Sequence, residues 1–213
     1  MPEKVHVFWD NSNIFIAAKY VAERRDGIQA WHAGRIHFDN LFNLARGGRT
    51  VQKAICVGSI PPELEGVWAR LRDTGVTVEL FERGKGTGTE QGVDQCLQVH
   101  MLRTLADEEV PGVAVLLTGD GAGYDTGAGF HADLERLHKR GWGIEVISWE
   151  AACKRTLKEW ATTVGAFIPL DAYYESVTFV AGGRPVRPLS LTHRPHSKPH
   201  DPSNVKAATA KKS

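Results

Sequence analysis

Apolar positions along this chain fall into short runs separated by helical patterns. Residues 4–9, Lys-Val-His-Val-Phe-Trp, form a compact apolar run that stops abruptly at Asp10 and reads as a short buried strand. Ile14, Ala17, Ala18, Val21 and Ala22 then recur at helical spacing, which predicts a helix to about Arg25, stopped by Asp26-Gly27. A second helix is expected over Asp39–Arg46, ended by Gly47-Gly48. Residues 50–57 suit a strand, Pro61-Pro62 open a helix near 63–73, and Val76–Phe81 is the next strand. A glycine-rich stretch, Gly84–Gly92, precedes a periodic helix from Val93 to about Glu109. Val113–Leu117 is the most apolar strand, followed by a second glycine-rich loop from Gly119 to Gly129. Phe130–Arg140 reads as a helix, Ile144–Ser148 as a strand and Glu150–Lys158 as a last helix.

Strands separated by helices imply an α/β fold with a doubly wound, mostly parallel five-stranded sheet covered by helices on both faces. One domain over residues 1–180 accounts for this pattern. Beyond it, five of the ten prolines fall between residues 185 and 202, with few apolar residues among them. Such a segment has little surface to bury against its ordering entropy, so residues 181–213 are expected to form a disordered, Pro-rich basic tail.

Composition, at 42% apolar and 24% charged, is that of a folded globular chain and excludes wholesale disorder. The net charge of +1 conceals an asymmetry. From Ala181 onward there are seven Lys or Arg against the single acid Asp201, about +6, which leaves the body near −5. A basic tail on an acidic body suggests a polyanionic partner held near an acidic, metal-binding site; an ordinary solvated tail is the plainer alternative. No apolar run is long enough to cross a membrane, and the first residues lead straight into a strand rather than into a signal-peptide core. Cys56, Cys96 and Cys153 are odd in number and form no C-x-x-C pair, which argues against a disulfide framework and a Cys-based zinc site. A reducing, cytoplasmic location is the expectation.

Ligands of open parallel sheets bind outside the carboxyl ends of the strands, where strand order reverses. Three acids occupy that edge in the assignment above: Asp10 in Trp-Asp-Asn-Ser-Asn, Asp120 in Leu-Thr-Gly-Asp, and Asp94 in Gln-Gly-Val-Asp-Gln; Asp125 is a fourth candidate. Converging aspartates repel unless a cation neutralises them, and a hard ion such as Mg²⁺ prefers one or two carboxylates, waters and a substrate phosphate. The chemistry implied is metal-assisted phosphodiester hydrolysis. The plainer reading makes Asp10 and Asp94 ordinary helix N-terminal residues, favoured there by capping and the helix dipole.

Other motifs carry less. GKGTG at 84–88 lacks the phosphate-loop pattern, and GAGYDTGAG at 121–129 lacks the dinucleotide fingerprint, so both read as flexible connections. His193, His196 and His200 cluster, but in the tail. No nucleophile elbow occurs and no Cys is paired with a His, so nucleophilic hydrolysis has little support. Tyr173 and Tyr174 would serve either a homodimer face or the core.

Three strings, VFWDNSNIF (7–15), GVDQCLQVHML (92–102) and VLLTGDGAGYDTGAGFHADLERLHKRGWGIEVIS (115–148), resemble the NYN domain, a branch of the PIN-like nuclease superfamily. The resemblance runs from Val5 to Ser148. It implies a doubly wound sheet with a ribonuclease site using Mg²⁺ or Mn²⁺. Asp10, Asp94 and Asp120 match the family's acidic metal-site positions, Asn11 and Asn13 its amide residues, and Thr118 the hydroxyl before its Gly-Asp. The departures are His100, where the family often carries an acid, Gln91 in place of a Lys, and an insertion before Phe130 that leaves Asp125 as the nearest substitute for a second Asp.

The leading expectation is therefore an endoribonuclease in which Asp10, Asp94 and Asp120 hold the ion. Asn11 and Asn13 would position ligands, while Arg83, Lys85 and the basic tail would hold RNA phosphates. The alternative is an RNA-binding module that keeps the fold without turnover. A DNA nuclease or a phosphatase of small substrates has no positive signal.

Overall fold

The first strand is buried on both faces because its alternate side chains serve two separate cores. In the computed structural model, which describes residues 3–60, 65–82, 88–120 and 122–203, the elements run β1 (Lys4–Asp10), α1 (Asn11–Asp26), α2 (Ala30–Ala33), β2 (Gly34–Ile36), α3 (Phe38–Arg46), β3 (Thr50–Ile60), α4 (Glu65–Asp73) and β4 (Thr77–Glu82). They continue with α5 (Gly88–Asp107), β5 (Val113–Leu117), α6 (Gly129–Lys139), β6 (Gly143–Ser148), α7 (Arg155–Val164), β7 (Ala166–Pro169), α8 (Tyr174–Val177) and β8 (Thr178–Val180).

Six strands form one parallel sheet in the order β4-β3-β1-β5-β6-β7. Val5, Val7 and Trp9 point to one face, where Ile14 and Ala18 of α1, Leu41 and Leu44 of α3, and Trp68 of α4 close over them. Phe8 points to the other, under Leu97 and Met101 of α5, Leu134 of α6 and Leu157 of α7. Each such side chain removed from water contributes about 1.5–3 kcal/mol, so the sheet is held from both sides and its edges are free to carry chemistry. Strand order reverses between β1 and β5, which sets the switch point beside Asp10.

The α/β class and the doubly wound topology match the sequence reading; the strand count does not. The sheet has six strands rather than five, because the four-residue β7 joins its edge after α7. A separate antiparallel pair, β2 with β8, was also unforeseen. Both rest on runs too short to show a period. The last long helix begins at Arg155 rather than Glu150, since residues 150–153 form a turn first.

The expectation of disorder from residue 181 onward fails for residues 181–203. Arg194 is fully buried at the amino edge of the sheet, where it donates to the carbonyls of Leu44 and Ala45 and to Glu145 Oε2 at 2.7 Å. The Ser197 N–H donates to Glu145 Oε1 at 2.8 Å, and the Ser197 hydroxyl accepts from the Ile144 N–H. The glycines on which this strap lies leave the room: a methyl at Gly143 would sit 2.7 Å from the Lys198 backbone. Of the tail's cations, Arg184 pairs with Asp26, Arg187 with Glu175, Arg194 with Glu145 and Lys198 with Glu3. The charge asymmetry in the sequence is thus answered largely within the molecule. Lys206, Lys211 and Lys212 lie outside the described residues.

Candidate active site at the carboxyl edge of the sheet

Strand β1 passes into α1 without a loop, and Asp10 is the residue at the joint. Its backbone is still extended, and its side chain caps the helix, Oδ1 accepting from the Asn13 N–H at 3.0 Å. Oδ2 accepts from the Thr118 hydroxyl at 3.0 Å, just past the end of the neighbouring strand β5. The Thr118 oxygen in turn accepts from the Asp120 N–H at 3.2 Å, and Asn13 Oδ1 accepts from the Gly119 N–H at 2.8 Å. Asp10, Asn13, Thr118 and Asp120 therefore form one hydrogen-bonded lattice across the switch point.

Close packing fixes the turn after β5. A methyl on Gly119 would overlap the Ala152 carbonyl, and the Lys154 N–H donates to the Gly119 carbonyl at 2.9 Å. The Trp149 indole N–H donates to the Ile14 carbonyl at 3.0 Å and ties the first turn of α1 to the end of β6. Asp120 closes its own turn, Oδ1 accepting from the Ala122 N–H at 2.8 Å.

Asp10 is only 3% exposed. Burial pushes its carboxyl up to about 6; the bonds from Asn13 and Thr118 oppose that rise, and the charge of Asp120 adds to it. No cation pairs with it among the described residues. Asn11 is also buried, and its Oδ1 has no hydrogen-bond partner among the described residues. The Asn11 side chain lies over Gly58 of β3, where a methyl would come within 3.3 Å of its Cβ. Leaving such an oxygen unpaired costs about 1–3 kcal/mol.

Asp94 stands in the second turn of α5, half-buried, and one residue after Val93, which packs in the core with Phe8 and Val57. Gly92 lies against the Phe81 ring near the end of β4, so this part of the helix stands at the same carboxyl edge as Asp10. Asp125 lies in the turn Tyr124–Thr126, with its side chain outside the described residues. Arg83 and Lys85 are likewise outside them. Tyr174 is buried in the core with its hydroxyl donating to Asp26, and Tyr173 is half-buried against the same core.

Asp10 and Asp120 offer carboxylates from two segments, one of them buried, which are the oxygen donors a hard divalent ion takes. Among the described residues Asp10, Asp94 and Asp120 do not bring three ligand atoms within 4.8 Å of one another. Sequence reasoning missed a different grouping. Cys96 and His100, set aside as unpaired, converge on Glu79 of β4. Their spacing of four residues within a helix was the available signal.

The NYN-domain family model matches residues 4–171. Among solved structures, a protein of unknown function from Vibrio parahaemolyticus is similar in fold, with a TM-score of 0.58 at 16% identity, over 80% of this chain and 94% of that one. No functionally curated protein matches the chain. Among the described residues no helix is long and apolar enough to cross a membrane.

Proposed function

The chain belongs to the NYN-domain family of PIN-like nucleases, and from that premise we propose that it is a metal-dependent ribonuclease cutting RNA through Asp10, Asp94 and Asp120. The observation that carries this reading is the state of Asp10, a buried carboxylate beside a second acid with only neutral donors on its oxygens. A bound Mg²⁺ or Mn²⁺ would neutralise that charge, polarise a phosphoryl oxygen and make an attacking water more acidic. The chain's own residues do the rest. Thr118 and the Asn13 N–H hold Asp10 in one orientation, and the Gly119 turn holds the Asp120 backbone against Thr118. Asn11 offers its unpaired Oδ1 to a ligand water or a substrate hydroxyl. Asp94 supplies a further acid from α5, and Asp125 is the reserve acid from the inserted loop. Arg83 and Lys85 are assigned to RNA phosphates.

The test is cleavage of a labelled mixed-sequence RNA in EDTA, Mg²⁺ or Mn²⁺, beside a matched DNA strand and the Asp120→Asn variant. Metal-dependent cutting of RNA that falls by at least about 100-fold in the variant is the expected result. Intact RNA in every lane overturns it. If tight, salt-sensitive RNA binding persists in those lanes, the chain is a binding module. The observation favouring that second reading is His100, which replaces a family acid and bonds to Glu79.

A further inference from the structure

We propose that Glu79, Cys96 and His100 form a second metal site, specific for a borderline-soft transition ion of the Zn²⁺ class and separate from the Asp10 cluster. Cys96 and His100 are one turn apart on α5 and so share a helix face. Glu79 stands opposite Val57 of β3, on the sheet face that α5 covers. Cys96 Sγ lies 2.8 Å from Glu79 Oε2, and His100 Nε2 lies 2.6 Å from Glu79 Oε1. The three donor atoms all fall within 4.8 Å of one another. Ion–ligand bonds of about 2.0–2.3 Å at tetrahedral angles space donor atoms about 3.3–3.6 Å apart. The side chains therefore need to spread by only a fraction of an ångström around an ion.

The ligand types choose the metal. One sulfur, one imidazole and one carboxylate suit Zn²⁺, Co²⁺ or a similar ion, whereas the all-oxygen donors at the Asp10 edge suit Mg²⁺ or Mn²⁺. Three protein ligands leave a fourth position, and the Glu79 side chain is 37% exposed, so water can fill it. On binding, the Cys96 thiol releases its proton to solvent and its sulfur pair forms the bond to the ion. Glu79 exchanges its two internal hydrogen bonds for one bond to the ion, and His100 binds through Nε2 as the neutral ring, its ring proton then carried on Nδ1. Without metal, burial and the adjoining Glu79 push the Cys96 thiol up to about 12, so it is no nucleophile on its own. The nearby positive charge of Arg103 acts on Glu79 and opposes a cation.

Loaded, the site ties α5 to the edge strand β4 across the connection at 83–87, and so fixes the helix that carries Asp94. The inference does not depend on whether the Asp10 edge cuts RNA. The test uses the full, metal-stripped chain titrated with Zn²⁺ in excess Mg²⁺, and with Co²⁺ as the spectroscopic probe. Expected are one equivalent of Zn²⁺ per chain and a thiolate-to-cobalt charge-transfer band. Cys96→Ser abolishes the band, and both Cys96→Ser and His100→Gln weaken Zn²⁺ binding beyond the about 10–100-fold lost when an outer supporting partner is removed. Arg103→Gln tightens binding, while Cys153→Ser and Asp120→Asn leave it unchanged. Far-ultraviolet circular dichroism checks the fold of each variant, and His100→Gln serves if Cys96→Ser fails to fold. Cobalt bound without a thiolate band, a band that survives in Cys96→Ser, or Zn²⁺ affinity indifferent to His100→Gln overturns the proposal.

Discussion

Replacing Asp10 by Asn separates the cost of a buried charge from everything else at the site. The carboxyl is pushed from the usual 3.8 up to about 6, by burial first and by Asp120 in addition. Each unit corresponds to about 1.4 kcal/mol, so the ionised side chain destabilises the metal-free fold by about 3 kcal/mol above that value. The sign follows from proton binding. Between the unfolded value near 4 and the folded value near 6, the folded chain holds more protons, so stability falls as pH rises through that window. Asn keeps Oδ1 for the Asn13 N–H, but its amide nitrogen faces the Thr118 hydroxyl, which must turn to accept. That rearrangement costs about 1 kcal/mol. Asp10→Asn is therefore expected to stabilise the metal-free protein by about 2 kcal/mol near neutral pH, or about 4–8 °C in Tm for a chain of this size. Urea and thermal unfolding in EDTA, run across the acid-to-neutral range, measure it. The gap should close on acidification and reverse toward pH 4, where only the rearrangement cost of about 1 kcal/mol is left. On the proposed function it should shrink when Mn²⁺ is added, because only the wild-type carboxylate would gain from the ion. A less stable Asn variant at neutral pH, or a gap that ignores pH, would refute the reasoning.

Three further outcomes are expected. Arg194→Ala leaves Glu145 short of one guanidinium and leaves the Leu44 and Ala45 carbonyls without their donor, so unfolding in urea should show a loss of about 3–5 kcal/mol, with new proteolytic cutting after residue 181. Burial would raise the Glu145 carboxyl, but the Arg49 bonds and the Arg194 charge outweigh it and hold it below the usual value. That stabilisation is present above the unfolded value and is lost as pH falls through the folded one; Glu145→Gln should therefore flatten the acid limb of a stability–pH profile. Gly119→Ala drives a methyl into the Ala152 carbonyl and should cost about 1–3 kcal/mol, with RNA cleavage falling alongside Tm because the Thr118–Asp120 turn moves.

The buried sheet was legible because its strands are apolar and its helices periodic: Val113–Leu117 needs no tertiary context to be read as a strand. The grouping of Asp10 with Asp120 followed from the rule for parallel sheets, once β1 and β5 were placed on either side of the switch point. What escaped the sequence depends on contacts between distant segments. The strap at 181–203 is held by Arg194, by ion pairs and by backbone hydrogen bonds on glycine, and such contacts leave no apolar pattern. The pairing of Cys96 with His100 was written in their spacing, but its third member, Glu79, lies on a different strand. Asn11 was read from resemblance alone, whereas its orphaned oxygen is visible only when β3 and Gly58 come up beside it.

The two most buried acids on this sheet are handled in opposite ways, and the contrast bears on function. Glu145 receives both Arg49 nitrogens at 2.8 and 2.7 Å, Arg194 at 2.7 Å and the Ser197 N–H at 2.8 Å. Its charge is fully met at the amino edge, where the strap passes over it. Asp10, at the carboxyl edge, receives only neutral donors, the Asn13 and Ser12 N–H groups and the Thr118 hydroxyl, and has a second carboxylate nearby. A fold able to bring two guanidiniums to one buried acid could bring one to the other, and stability alone would favour it. On the proposed function, an Arg side chain on Asp10 would occupy the position that a divalent ion and an RNA phosphate would take. On that proposal, a charge left without a cation among the described residues keeps the position open, at the carboxyl edge where strand order reverses.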